Sequence, residues 1–255
     1  MGQSGSTMSV WHSPTPVPSP EGEGLIHPVQ TTASTNADML ALAAQGAAEG
    51  LWLRAVEQTA GRGRLGRVWV SPPGNLYAST IVRLRAADPN PATLAMVAAV
   101  ALDETLGAYG AEPWIKWPND LHIGAAKLTG ILLERTGDAV VVGIGVNLAH
   151  HPEGLDRPAT SLPAQGLSAP DPDVFLRNLA EAFGRWLGVW RSGLEHVRRR
   201  WLDRAHSIGT ALSVRLPDRA PLDGLFDGLD GDGALRLRLA SGEVQVIHAA
   251  DVFLI

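Results

Sequence analysis

The spacing of apolar residues changes character twice along the chain. Met39, Leu40, Leu42 and Ala43 follow Ser34-Thr35-Asn36 and precede Gly46, which predicts a helix of about three turns with Thr35 and Asp38 as a capping box and Gly46 as its C-cap. Leu51 to Glu57 and Leu76 to Leu84 have the β-branched and aromatic content of strands, with a turn at Pro72-Pro73-Gly74-Asn75 between them. From Pro91 to Tyr109 helical spacing returns, with Pro91 in a first turn and Leu94 and Met96 in the core. Trp114 to Trp117 reads as a strand stopped by Pro118, so Asn119 and Asp120 stand at a tight turn, and a second strand leaves it from Lys127 to Arg135. Val140 to Asn147 is almost unbroken apolar sequence, as in a strand covered on both faces.

Pro152 to Asp171 is proline-rich and loop-like, and Asp173 to Arg191 and Leu194 to His206 are amphipathic helices, with Arg198-Arg199-Arg200 on a solvated face. From Gly209 onward short strands take over, at Ala211 to Leu216, Leu222 to Leu229, Ala234 to Leu239, Glu243 to Ile247 and Val252 to Ile255, with turns such as Asp230-Gly231-Asp232-Gly233 and Ser241-Gly242 between them. They predict a small antiparallel barrel docked on a larger unit. The fold class is therefore α+β: a mixed β-sheet with flanking helices plus a C-terminal barrel. The expected division is a disordered leader (1–24), a main domain (25–206) and a C-terminal domain (207–255).

Composition narrows the function. The 255 residues have a net charge of −5, so a cationic site must be local rather than global. There are no cysteines, which excludes disulfides, thiolate metal sites and a cysteine nucleophile. No apolar run reaches the ~18 to 20 residues of a membrane span. The leader is rich in Ser, Pro and Gly and lacks the apolar stretch of a signal peptide, so no membrane association is expected and the cytoplasm is the expected location. Of the 21 lysines and arginines only Lys116 and Lys127 are lysine, which marks both as places where a compact ammonium suits and a planar guanidinium does not.

The densest cationic stretch is Gly61-Arg62-Gly63-Arg64-Leu65-Gly66-Arg67. Glycine permits positive φ and close approach to a ligand, and arginine grips carboxylate or phosphate oxygens with a two-pronged fork. Alone, these seven residues equally describe an Arg-Gly nucleic-acid tail or a solvated loop. They also match Gly-x-Gly-x-x-Gly, but no helix opens there and no acidic residue follows at the end of a second strand, so the dinucleotide reading is rejected. Adjacent His150 and His151 point to opposite sides of an extended chain and make a poor metal pair. Gly124-Ala125-Ala126-Lys127 lacks the spacing and hydroxyl of a Walker A loop. At the predicted strand ends stand Arg62, Arg64, Arg67, Lys116, Asn119, Asp120, Lys127 and Asn147, an inventory without a serine elbow or a zinc-protease motif. Such a set suits stabilisation of phosphoryl charge. Adenylation of a carboxylate needs this equipment, because the nucleophile is already ionised and the task is to bring two anions together and keep water from a labile product.

Ser34-Thr35-Asn36, Gln58 with Gly61 to Trp69, Lys116-Trp117-Pro118-Asn119-Asp120, Lys127 to Glu134 and Gly143-Ile144-Gly145-Val146-Asn147 together resemble, in order, the motifs of the biotin–protein ligase family. The resemblance runs over roughly residues 27 to 255 and implies a fold like that of class II aminoacyl-tRNA synthetases with a C-terminal SH3-like domain. It implies that biotin and ATP give biotinyl-5'-AMP, with Mg2+ bridging the phosphates, and that biotin then passes to a lysine of a biotin carboxyl carrier protein. Carried over to this chain, Ser34, Thr35, Asn36, Gln58, Arg62, Gly63, Arg64, Lys127 and Gly130 are biotin-binding, and Arg64, Arg67, Trp69, Asn119, Lys127 and Asn147 are ATP-binding, with Trp69 stacking on adenine. Lys127, Arg64 and Asp120 are catalytic, Asp120 by orienting the incoming amine or accepting its proton. No protein metal ligand is assigned. With only a leader ahead of the main domain, the DNA-binding domain of bifunctional members and a DNA partner are not expected; a homodimer is left open. The rival readings are a lipoate–protein ligase, a biotin-sensing DNA-binding regulator, and a non-catalytic module that keeps the pocket.

Overall fold

The computed structural model describes residues 25–254 apart from 156 and 217–219. The predicted leader lies outside the described residues. In chain order the elements are β1 (Ile26–Thr32), α1 (Thr35–Ala44), β2 (Trp52–Gln58), β3 (Leu76–Arg83), α2 (Leu94–Ala108), β4 (Trp114–Lys116), β5 (Asp120–Ile123), β6 (Ala126–Thr136), β7 (Ala139–Val146), α3 (Pro172–Arg191), α4 (Glu195–Leu202), β8 (Ala211–Arg215), β9 (Leu222–Leu229), β10 (Leu235–Arg238), β11 (Val244–Ile247) and β12 (Asp251–Leu254). The first seven strands form one sheet in the order β1-β2-β3-β7-β6-β5-β4. Among the described strands of this sheet only β1 and β2 run parallel, so the sheet is mixed as expected.

The apolar run of β7 has a simple cause. Val141 packs with Met39, Ala43, Leu53 and Ile81 under α1, while Val140 and Val142 point the other way into the main core with α2 and α3. With helices on both faces, no position of the strand is left for a polar residue. Helix α2 with its preceding 3-10 turn, Pro91–Ala108, corrects the sequence expectation about apolar runs: it is long and apolar enough to cross a membrane by length and composition, but 72% of it is buried against the rest of the protein.

Three local expectations are also revised. Thr35 and Asp38 do not form a capping box; Asp38 instead accepts a hydrogen bond from Thr32 Oγ1 (2.5 Å), and the Thr35 hydroxyl is drawn to Gln58 on the neighbouring strand. The turn at Asn119-Asp120 leads into the additional strand β5, so the segment folds as two successive hairpins. Arg200 is not on a solvated face: it and Arg204 hold the buried carboxylate of Asp103 on α2 at 2.7 and 2.8 Å. Helical periodicity identifies the polar side of α4 but cannot show that a buried carboxylate faces it.

The C-terminal strands make an antiparallel sheet in the order β11-β10-β9-β8-β12. Among the described residues its two edge strands, β11 and β12, do not pair, so the predicted barrel is not closed there by backbone hydrogen bonds. It packs on the larger unit through one continuous core that includes Phe226, Leu229 and Leu235. Trp117 Nε1 donates to Gly233 O (3.2 Å) and Arg198 to Leu229 O (3.1 Å) across the junction. This docking carries β12 to the rim of the cavity described next.

Candidate active site

A cavity of about 240 Å³ opens where β2, β6 and β7, the loop after β2 and the end of the C-terminal sheet converge. Every residue assigned to ligand binding from the sequence lines it: Ser34, Thr35, Asn36, Gln58, Arg62, Gly63, Arg64, Arg67, Trp69, Asn119, Asp120, Lys127, Gly130 and Asn147, with Lys116 beside them. They come together because strand ends and helix starts meet at one edge of the sheet.

One wall is a chain of hydrogen bonds. Gln58 Oε1 accepts from the Thr35 backbone N–H (2.9 Å) and hydroxyl (3.2 Å), while Gln58 Nε2 donates to Ser71 Oγ (3.1 Å), which itself donates to Trp69 O (2.9 Å). Ser79 donates to Asn36 Oδ1 (2.6 Å) and lies 2.8 Å from Thr35 Oγ1; Asn36 Nδ2 reaches Glu134 (2.9 Å). These side chains are thereby held in single orientations before any ligand arrives, which lowers the entropic cost of binding. A Cβ at Gly143 would overlap the Asn36 amide, so only glycine allows the helix start to sit this close to β7. Asn36 and Asn147 line the cavity; the Asn36 amide N–H groups are taken by Glu134 and by Leu132 O (3.4 Å), and Asn147 gives one N–H to Thr160 O (3.0 Å).

The arginine-glycine stretch is folded back on itself. Gly63 N–H donates to Arg67 O (2.8 Å), Trp69 N–H to Gly61 O (2.9 Å), and Arg62 bridges to Val68. Of its three glycines only Gly66 takes positive φ (69°); Leu65 shares the left-handed region at φ 56° with its side chain exposed. A non-glycine residue there costs about 1–2 kcal/mol. Anchors on both sides hold it. Arg64 donates to Asn119 Oδ1 (3.2 Å) and to Ala250 O (3.5 Å), and Arg67 is paired with Asp251 at the start of β12. Asp251 also takes Arg157 at 3.3 Å. Burial works to raise the Asp251 carboxyl, but the two guanidinia outweigh it and hold it below the usual aspartate value.

At the centre, Lys127 Nζ lies 2.7 Å from Asp120 Oδ1, an ion pair whose angle falls short of a hydrogen bond. Lys127 is steadied by backbone bonds to Pro158 O and from Thr160 N–H, both 2.9 Å. The Trp69 indole rests on Gly130 and Gly145, which pair across β6 and β7: a Cβ on Gly145 would come within 2.6 Å of the ring. Lys127 Nζ is 5.4 Å from the ring centroid, and the indole N–H is buried with no partner among the described residues. His122 also lines the cavity, its pKa pushed down to about 4, first by burial and then by Lys116, so it is neutral at pH 7.

Sequence reasoning missed Ser79, Asp251, Arg157, His122 and the seating role of Gly145. Apart from Gly145, which stands in the Gly143 to Asn147 motif, none carries a local signal: each acts only through a neighbour that the fold supplies. Among the described residues no group of three or more His, Asp or Glu side chains is arranged to hold a metal. The cavity's carboxylates, Asp120 and Asp251, are each already paired with a cation, so the protein offers a poor cage for a resident ion.

A cavity lined by a polar wall, a central lysine and an arginine strap is the equipment of a carboxylate-activating ligase, and comparison with known proteins agrees. Residues 29–148 match the biotin/lipoate A/B protein ligase family, and residues 213–255 match the biotin protein ligase C-terminal domain. The chain is similar to the biotin–[acetyl-CoA-carboxylase] ligase of Paracoccus denitrificans (44% identical, over 87% of this chain and 97% of that one). It is also similar to the enzyme of that name from Mycobacterium tuberculosis (35% identical, over 88% and 86%). The biotin protein ligase of Aquifex aeolicus in complex with biotin and ATP shares the fold, with a TM-score of 0.81 at 24% identity over 91% of this chain and 99% of that one. The chain belongs to the biotin protein ligase family.

Proposed function

We propose that this protein is a biotin–protein ligase that activates biotin with ATP to biotinyl-5'-AMP and transfers biotin to a lysine of a biotin carboxyl carrier domain. The observation that carries the reading is the Lys127–Asp120 pair at the centre of a cavity strapped by Arg64 and Arg67. In the first step a biotin carboxylate oxygen attacks the α-phosphorus of ATP and pyrophosphate leaves. The Lys127 ammonium lies within reach of both anions in this reading, lowers their repulsion and neutralises the charge that builds on phosphorus. Turning toward phosphate, Lys127 releases Asp120. In the second step the carrier lysine attacks the anhydride carbonyl, AMP leaves, and Asp120 takes the amine proton.

Ser34, Thr35, Asn36, Gln58, Arg62, Gly63 and Gly130 are assigned to biotin, with Arg64 and Lys127 at its carboxylate. The fixed Gln58–Thr35 wall supports this, since a ureido ring needs donors and acceptors in set directions. Arg64, Arg67, Trp69, Asn119, Lys127 and Asn147 are assigned to ATP. Magnesium would enter with the nucleotide as part of the substrate and offset phosphate charge, since Asp120 and Asp251 are each already paired with a cation. Residues 25–206 are taken as the catalytic domain, with β12 of the 207–255 domain completing the rim. DNA is not among the proposed partners, because the net charge is −5 and the clustered cations face the cavity. A homodimer is compatible with the scheme and not required by it, as every assigned residue comes from one chain. Supply of ATP makes the cytoplasm the proposed setting.

Biotin-dependent exchange of pyrophosphate into ATP tests the reading. Wild-type protein should support it, and Lys127→Ala should lose about two to three orders of magnitude, as happens when a charge-stabilising donor is removed elsewhere. Exchange with lipoate and none with biotin would refute the assignment.

A further inference from the structure

Behind the polar wall of the cavity the hydrogen bonds continue into residues that do not line it, and they run in one direction. Ser79 is fully buried on β3, where it pairs with Gly143 of β7. The Asn36 amide lies against that pair, in space that a Cβ at Gly143 would fill. Asn36 Nδ2 faces two acceptors, the Glu134 carboxylate (2.9 Å) and Leu132 O (3.4 Å). They set the amide, so that Oδ1 is the atom turned to Ser79. Asn36 Oδ1 can only accept, and it lies 2.6 Å from Ser79 Oγ, so the single Ser79 proton is spent there. Ser79 Oγ then has only lone pairs for Thr35 Oγ1, 2.8 Å away. Two hydroxyl oxygens at that distance need a proton between them, and Thr35 supplies it. Its other acceptor, Gln58 Oε1 at 3.2 Å, is also a protein atom.

The Thr35 hydroxyl therefore meets the cavity with lone pairs and no proton to give. A free hydroxyl rotates to suit its neighbour, as donor to one ligand and acceptor to another. Here the Glu134 carboxylate, three hydrogen bonds away through Asn36 and Ser79, removes that choice. A ureido ring carries an N–H on each side of its carbonyl, and one of these satisfies a fixed acceptor. An oxygen at the same ring position would set lone pair against lone pair, and a site built around a hydrogen bond rejects an analogue that lacks it.

We propose that Ser79 is a positioning residue for ligand choice: with Asn36 and Glu134 behind it, it holds Thr35 as an acceptor, and so selects a ligand that brings an N–H to that point and rejects one that brings an oxygen. The proposal rests on the assignment of Thr35 to biotin, and binding measured without ATP separates it from the adenylation reading. The probes are biotin and its two cyclic carbamates, in each of which oxygen replaces one ureido N–H, with Kd read by titration calorimetry on the full-length protein. Wild type should bind one of the carbamates about 10- to 100-fold more weakly than biotin, through a lost hydrogen bond and an unpaired acceptor. In Ser79→Ala the Thr35 proton is free to turn to the ligand, and the ratio for that carbamate should fall to about three-fold or less. Glu134→Leu should lower the same ratio from outside the cavity. With the carboxylate gone the amide can turn over, and then Asn36 donates to Ser79, Ser79 to Thr35 and Thr35 to the ligand. Ser79→Thr, which keeps the hydroxyl, should keep the wild-type ratio, and in a Thr35→Val background Ser79→Ala should no longer change it. A role confined to packing would weaken biotin and carbamate alike. A wild-type ratio in both folded Ser79→Ala and folded Glu134→Leu would overturn the proposal, as would equal binding of biotin and both carbamates by wild type. Biotin binding without pyrophosphate exchange would sink the adenylation reading and leave this proposal standing; no biotin binding by wild type would remove both.

Discussion

Gly145→Ala tests how Trp69 is held. The added methyl carbon would lie 2.6, 2.7 and 2.8 Å from Cε2, Nε1 and Cζ2 of the indole, against about 3.5–4.0 Å for an unstrained carbon contact. One partner must move. Strand β7 is hydrogen-bonded on both sides, with Gly145 opposite Tyr77 on β3 and Gly130 on β6, so the sheet is the stiffer of the two. The indole is only half-buried and its N–H has no partner to lose, so it yields. Displacement removes the surface on which the adenine is proposed to stack. Stacking of a base on an aromatic ring is worth about 1–3 kcal/mol, so the KM for ATP should rise roughly 5- to 150-fold. Steady-state exchange kinetics with ATP and biotin varied separately, alongside thermal unfolding, check this. Biotin's KM should move far less than that of ATP, and Tm should change little. In a double-mutant cycle with Trp69→Ala, the methyl should add almost nothing once the ring is gone. An unchanged KM for ATP in Gly145→Ala, or fully additive effects in the cycle, would refute the reasoning.

Two further predictions concern stability. Asp103→Ala removes the carboxylate shared by Arg200 and Arg204 and should cost about 2–4 kcal/mol, seen as a lower urea midpoint at unchanged m-value, because two charge-assisted bonds go while the arginines remain partly hydrated; a midpoint shift within error would show the pair to be idle. His122 titrates near 4 in the fold, chiefly through burial, against about 6.5 when unfolded. The unfolded chain therefore binds a proton that the fold refuses. This contribution to stability is complete above pH 6.5 and is lost as the pH falls toward 4, by up to about 3 kcal/mol. His206 behaves alike through burial, between Trp114 and Phe226. Urea midpoints for wild type and His122→Gln at pH 7.5 and 4.5 check the sign. The variant should lose less stability on acidification, and an equal loss in both would contradict it.

Much of this protein was legible in its amino-acid order because the relevant physics is local. The 3.6-residue period of α3, the unbroken apolar run of β7 and the short strands after Gly209 report burial that each segment imposes on itself. Most of the cavity lining was legible for a related reason: Ser34 to Asn36, Gly61 to Trp69, Lys116 to Asp120 and Lys127 to Gly130 are contiguous stretches that strand ends carry to one edge of the sheet. Tertiary structure alone decided how those stretches are anchored. Arg67 meets Asp251 across 184 positions of sequence, Trp69 finds its seat on glycines of two other strands, and Arg200 turns out to face a buried carboxylate. Ion pairs and close contacts depend on distance in space. A period or a motif records only which face a residue occupies, and which partner waits on that face is settled when the sheets and helices pack.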